Sequence, residues 1–382
     1  MPRCEGAMAR DIAPRRALDP APDPQKVRVP RRSPTVAAVV VTCNRPAQLR
    51  ATVLALLAAP LERICIIDNG ASSGTPDGTA AWLAAQADPR LIVLTPPRNL
   101  GGAGGFALGL AELEARDDPD WIVVMDDDAR PAPGAISQFR AAPPPGWDAV
   151  AAAVRDPSGR IAEMNRPARN PFASLTRFAA ALFRGRPAFH LADADYLADT
   201  LAEIDIASFV GLFLSRRARH LAGLPDARLF IYGDDVLHSL HMRALGLRIG
   251  FDPRIRFEHD CSTLQGSAWI YRPLWKAYYH HRNLLLVFRA AAGRWLFAPM
   301  ALMHLLRWGL RARHYRRVER PVYLRLLRLA LLDGLRGRLD RPHEEVLALA
   351  AGSRRPPSRH VPPQVPARGG PKARTAAQED AA

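Results

Sequence analysis

Four short apolar runs early in the chain each break off into polar or glycine-rich residues, and that recurrence restricts the fold more than any other feature. The runs are residues 37–42, 63–68, 91–95 and 121–126, and helix-length segments separate them, the first at 46–58. Such alternation predicts an α/β fold, a mostly parallel sheet with helices on both faces. In that architecture a ligand sits beyond the carboxyl ends of the strands. The four exits read Thr42-Cys43-Asn44-Arg45, Asp68-Asn69-Gly70, Arg98-Asn99-Leu100-Gly101-Gly102 and Asp126-Asp127-Asp128, so one rim of the sheet is expected to carry the chemistry.

Further along, residues 204–214 read as another buried strand, a helix led by Asp234 and Asp235 follows, and residues 247–251 read as a strand ahead of His259. From Pro273 the periodicity is helical and strongly basic. The expected organisation is an α/β domain over 34–270 and a basic helical appendage over 271–352. Residues 1–33 and 353–382, rich in Pro and Arg without apolar periodicity, are expected to be disordered tails.

Lys and Arg outnumber Asp and Glu by 53 to 37, a formal charge of +16, which predicts an anionic partner. Nucleic acid is the partner the pattern disfavours. The acids gather at the sheet rim and the bases lie in the tails and late helices, whereas a nucleic-acid interface needs a basic stripe free of a central acidic cluster. Late arginines such as Arg307, Arg313 and Arg317, interleaved with Trp275, Trp295, Trp308 and Tyr315, suit an anionic membrane surface, and packing of those aromatics onto the domain suits them equally. Residues 284–306 are interrupted by Arg289, Arg294 and Pro299 and make a poor membrane span. The cysteines, Cys4, Cys43, Cys65 and Cys261, show no close pairing, so neither a zinc site nor a disulfide framework is indicated. With no secretory signal pattern either, the expected location is cytoplasmic, with peripheral attachment to the inner face of the cell membrane as an option.

Three carboxylates leave one apolar strand at residues 126–128. Asp126 and Asp128, alternate along an extended chain, point to the same side and suit a hard divalent cation that neutralises a diphosphate. His259, after a later strand, offers an imidazole ligand to the same ion. Asp234 and Asp235 open a helix: one is expected to cap it, and the other, Asp235 by preference, to take the proton from an attacking hydroxyl. The glycines between Asn99 and Phe106 let backbone approach a ligand, although the spacing fits neither a dinucleotide fingerprint nor a P-loop.

Together these motifs resemble glycosyltransferase family 2, and within it the galactofuranosyltransferase-like branch. The resemblance runs in order over about residues 35–290: Thr42-Cys43-Asn44-Arg45-Pro46, Ile67-Asp68-Asn69-Gly70, Asn99 to Phe106, Met125 to Asp128, Gly233-Asp234-Asp235 and His259. It implies a GT-A fold and an inverting single displacement. It also implies manganese or magnesium held by Asp126, Asp128 and His259, with Asp235 as base and Asp234 on the acceptor side. Thr42, Asn44, Arg45, Asp68 and Asn99 would line the nucleotide-sugar pocket, together with Gly101, Gly102 and Asp127. The donor expected first is UDP-galactofuranose, and the acceptor a glycan or a polyprenyl-diphosphate-linked glycan. Two places depart from the branch: Gly233 stands where it has Trp, and Leu237 where it has an acceptor-binding Glu. A rhamnosyltransferase using dTDP-rhamnose, and a non-catalytic subunit binding nucleotide-sugar or lipid on the same fold, are the alternatives. Oligomeric state is open.

Overall fold

The computed structural model describes residues 33–70, 77–260 and 270–352. Almost all of the two expected tails, together with Cys4 and Cys261, lies outside the described residues, as does the side chain of Trp295.

The strands are β1 (Val36–Thr42), β2 (Arg63–Asp68), β3 (Leu91–Leu94), β4 (Trp121–Asp126), β5 (Ala129–Pro131), β6 (Ala149–Arg155), β7 (Ala202–Ile204), β8 (Leu212–Ser215) and β9 (Ile249–His259). The helices that flank them are α1 (Pro46–Leu57), α2 (Thr79–Ala85), α3 (Gly101–Arg116), α4 (Ala135–Ala141), α5 (Leu175–Arg184), α6 (Arg216–Ala222) and α7 (Asp234–Ala244). Three more complete the described chain: α8 (Trp275–Arg311), α9 (Arg320–Arg336) and α10 (His343–Ala350). The strands form one mixed sheet in the order β3-β2-β1-β4-β8-β6-β9-β5, with β7 beside β9. It is parallel from β3 to β4 and mixed beyond.

The central strand shows why the runs are continuously apolar. Val36, Ala38 and Val40 of β1 face α1 through Leu49, Val53 and Leu56, while Ala37, Val39 and Val41 face α3 through Phe106, Leu110 and Leu113. Both sides of the strand are dry, so no position tolerates a polar residue until Thr42. Helix α3 lies unusually close to this strand. A Cβ on Gly105 would sit 2.7 Å from Val41 Cγ1, and one on Gly109 2.4 Å from Val39 Cγ1. Mid-helix glycine costs about 1 kcal/mol relative to alanine; here the close packing offsets it.

Residues 204–214 are not the single strand expected. β7 ends at Ile204 and β8 begins at Leu212. Between them Asp205 is drawn away by the Asn170 N–H and the Arg243 guanidinium, and Gly211 turns at φ 71, where a Cβ would press on the Phe257 ring. The late helices bury two of the aromatic residues singled out in the sequence. Trp308 and Tyr315 are almost inaccessible, in a cluster with Leu285, Tyr323 and Leu327, so for these two the packing role wins over the interfacial one. Among the described residues no helix is long and apolar enough to cross a membrane.

Candidate active site

Strand registers assemble the rim. β1 and β2 pair Thr42 with Asp68, and β1 and β4 pair Val41 with Asp126, so three of the polar exits lie side by side. β5 and β9 pair Ala129 with His259, and the Asp260 N–H donates to the Asp128 carbonyl at 2.9 Å. That short antiparallel ladder carries His259 across 131 residues of sequence to Asp128, its Nε2 lying 3.0 Å from Asp128 Oδ1.

Asp126, Asp128 and His259 converge, with one ligand atom from each within 4.8 Å of the others. Asn165, in a 3-10 turn after β6, faces His259 Nδ1 with its Oδ1 at 2.7 Å and is braced by Ser208 at 3.1 Å. Asn165 Oδ1 holds a proton on Nδ1 and turns Nε2 toward the carboxylates, where, against burial, Asp128 raises the imidazole pKa; a cation would take the place of the Nε2 proton and gain that nitrogen as a ligand. Two oxygens and one nitrogen at this separation fit a single divalent cation with coordination positions left for a substrate.

The charges around the point are unbalanced. Burial, then the charge of Asp128, pushes the Asp126 carboxyl up to about 7 against the pull of His259. Burial likewise raises Asp127 to about 6, opposed by Arg45 and the Thr42 hydroxyl. Burial acts in the same sense on Asp128, but His259 and Arg45 outweigh it and hold that carboxyl below its usual range. Arg45 bridges the cluster, with Nη1 donating to Asp127 at 2.8 Å and Nη2 bonded to Asp128. Thr42 Oγ1 donates to Asp127 at 2.7 Å, and Thr52 pins the backbone beneath through the Asp127 and Ala129 carbonyls.

The glycine-rich turn is held from β2. Asn69 accepts from the Leu100 N–H at 3.0 Å and donates to the Gly101 carbonyl at 3.1 Å, while Asn99 Oδ1 accepts from the Gly101 N–H. Its glycines serve packing as much as ligand approach. A Cβ on Gly101 would lie 2.2 Å from the Phe230 carbonyl, whereas Gly102 opens on free space. The Ala103 N–H is already taken by Phe230 O at 3.0 Å, so only part of this helix start remains for an anion. Asp68 is buried and accepts from the Gly70 N–H, and exposed Asn44, at φ 57, closes over Gly70.

Asp234 and Asp235 sit at the start of α7, but neither caps it. Gly233, at φ 77, is the cap residue, which leaves both carboxylates for other partners. The Asp235 carboxylate takes the N–H groups of Val236 and Phe209; burial nevertheless raises it to about 6. Asp234 is raised first by burial, then by Asp235, and it also feels the charge of Asp126. Asp234 therefore lies within electrostatic reach of the three-residue cluster.

The loop that presents this pair is strained and clamped from α8, which sequence reasoning missed. Phe230 and Tyr232 both stand at φ 68. Buried Asn283 donates from Nδ2 toward the carbonyls of Leu229, Ile231 and Tyr232 at 3.0, 2.9 and 2.8 Å. Arg282, its guanidinium between Tyr278 and Tyr279, donates to Arg228 O and Leu229 O. Nearly two turns earlier lies Lys276. Of the chain's lysines, Lys26, Lys276 and Lys372, it alone falls in the described residues. Burial and then the nearby Arg45 lower its pKa, and no carboxylate pairs with it among the described residues. Two open cavities elsewhere, of about 620 and 770 Å³, include none of the expected site residues.

The family model described as Glycosyl transferase family 2 matches residues 37–192. Galactofuranosyltransferase GlfT1 of Mycobacterium tuberculosis is 30% identical over 236 residues, 60% of this chain and 71% of that protein. The chain belongs to glycosyl transferase family 2. It is a glycosyltransferase, and its mixed sheet with flanking helices is the GT-A arrangement expected from the motifs. Among solved structures, S. aureus TarS 1–349 with UDP-GlcNAc overlaps 83% of this chain and 87% of its own at TM-score 0.48 and 12% identity. GalNAc-T7 with UDP, GalNAc and Mn2+ overlaps 68% of this chain at TM-score 0.48 and 14% identity; this chain spans about half of that one, 48%.

Proposed function

We propose that this glycosyltransferase transfers galactofuranose from UDP-galactofuranose to a hydroxyl of a glycan or lipid-linked glycan, inverting the anomeric centre in one displacement. The observation that carries the reading is the meeting of Asp126, Asp128 and His259 at one point, with Asp234, the neighbour of Asp235, within electrostatic reach. The sugar is suggested by the relative named above, at 30% identity.

Asp126, Asp128 and His259 would hold manganese or magnesium, which when bound stabilises negative charge on the diphosphate as the sugar departs. Arg45 and Lys276 add fixed positive charge beside it. Thr42, Asp68 and Asn99, with Asn44, Gly101 and Gly102, form the nucleoside side. Asp235 takes the acceptor proton as the acceptor oxygen bonds to the anomeric carbon. The bond from that carbon to the diphosphate breaks at the same time, and the nucleoside diphosphate leaves. Asp234, which feels the charges of both Asp235 and Asp126, shapes the acceptor side. Gly233 gives that side its own form. At φ 77, with Val287 Cγ2 only 3.3 Å from where a Cβ would be, the position excludes the Trp found in the related enzymes and leaves half-exposed Tyr232 as the aromatic beside the pair.

The test is thermal stabilisation by UDP-galactofuranose, UDP-galactopyranose and dTDP-rhamnose, each with manganese. Selective stabilisation by UDP-galactofuranose is expected. Selective stabilisation by dTDP-rhamnose would reassign the donor, and no response to any of the three would refute the nucleotide-sugar site.

A further inference from the structure

Helix α5 is built as though it had a core to face, and among the described residues it has none. Leu175, Phe178, Ala179, Leu182 and Phe183 fall at the spacing that makes one apolar stripe. In a globular domain that stripe turns inward. Here Leu175, Leu182 and Phe183 are 81, 68 and 85% exposed, and no residue of the helix is buried. Phe178 alone finds an aromatic neighbour, Phe172, with ring centroids 5.8 Å apart.

Along the sequence the charge beside the stripe is one-sided; Asp205, just beyond β7, reaches Arg177 at 3.6 Å. From Arg166 to Leu191 the chain carries five arginines and no carboxylate, and Arg177, Arg184 and Arg186 are all exposed on or next to α5. A second outward stripe occurs on α8 beyond its turn at Gly293: Leu302, Leu306 and Leu310, one helical turn apart, are 58, 61 and 63% exposed. From Ile270 to Val318 there is again no carboxylate, against nine arginines and Lys276. The two regions meet, because Asn170 Nδ2, ahead of α5, donates to the Ala291 carbonyl at the α8 turn at 3.1 Å.

We propose that α5 and the second half of α8 form a face that lies on an anionic lipid surface. Exposed leucine and phenylalanine flanked by arginine without acid is the composition of an interfacial helix: the apolar stripe enters the acyl boundary and the guanidinium groups stay among the headgroups. A second copy packed through the same face would bring arginines against arginines, because neither stretch contains a carboxylate; a lipid phosphate supplies the negative charge. No helix in the described residues is long and apolar enough to span, so attachment is from one side. The surface holds whichever sugar is moved, and it would bring a lipid-linked acceptor to the enzyme in two dimensions.

The experiment is flotation of the full chain with vesicles of phosphatidylglycerol and phosphatidylcholine in equal parts, and with phosphatidylcholine alone. Sedimentation velocity of the free protein accompanies it. The wild type is expected to float with the anionic vesicles, far less with neutral ones, and to loosen as salt is raised. Leu182→Glu with Phe183→Glu should weaken partitioning at least about tenfold, with melting temperature and donor-induced stabilisation unchanged. Arg184→Gln and Arg186→Gln should each weaken it about fivefold, since each arginine near an anionic surface contributes about that factor. Equal flotation by the Leu182/Phe183 variant, failure of the wild type to float, or a stable dimer that this variant splits would overturn the proposal.

Discussion

Replacing Asn283 by Asp tests whether the clamp on the loop before α7 sets the rate or only holds the fold. The change keeps the side chain's shape and removes its two N–H donors, which point to three carbonyls between Leu229 and Tyr232. Two net hydrogen bonds are worth about 2 kcal/mol. The loop they restrain contains Phe230 and Tyr232 at φ 68, conformations that cost about 1–3 kcal/mol each for residues other than glycine. The bonds lost are thus of the size of the strain they restrain, and the loop should relax. Relaxation moves Asp234 and Asp235, one and two residues beyond Gly233. A shift approaching 1 Å at a reacting group costs up to about a hundredfold in rate. The expected result in steady-state kinetics is kcat down about ten- to a hundredfold, donor KM nearly unchanged, and a melting temperature lower by about 4 °C. Wild-type kcat together with that loss of melting temperature would refute the positioning role.

Asp235→Asn is expected to abolish transfer while leaving donor binding nearly intact, and Asp234→Asn to leave measurable transfer; the reverse pattern would move the base to Asp234. Burial raises Asp235 to about 6, and a base works only when ionised, so kcat should fall as pH drops through about 6 and level off above it. A flat kcat between pH 5 and 7 would contradict that role. Lys276→Met should raise donor KM about tenfold with a smaller effect on kcat, measured by initial rates, because it removes a positive charge close enough to Arg45 to be felt by it, on the side proposed for the diphosphate. Gly109→Ala should cost about 1–3 kcal/mol in chemical denaturation, since the added methyl meets Val39 Cγ1 at 2.4 Å.

What could be read from residue order was the part carried by local pattern. Strands buried on both faces leave unbroken apolar runs, and their C-terminal exits must share a rim, so Thr42, Asp68, Asn99 and Asp126 fell on one edge without reference to coordinates. His259 was a weaker inference, completed by the Ala129–His259 register, which no local signal encodes. The clamping roles of Asn165, Arg282 and Asn283 are invisible in the sequence for the same reason: each is an unremarkable polar residue whose partners on other elements lie 43 or more residues away. The cap on α7 was misread because Asp at a helix start is an ordinary capping signal, and the left-handed Gly233 that displaces it belongs to the strained loop. The aromatics of the late helices were ambiguous in composition, and their burial was decided by packing against α9.

The proposed chemistry depends on Asp126, Asp128 and His259 holding one divalent cation. Titration of the protein with Mn2+ in the presence of UDP, followed by the paramagnetic resonance of the free ion, tests it without needing an acceptor. One bound ion per chain is predicted, lost in Asp128→Ala and in His259→Ala while both variants keep a cooperative melting transition. Binding of the same ion with wild-type affinity in those folded variants would contradict it.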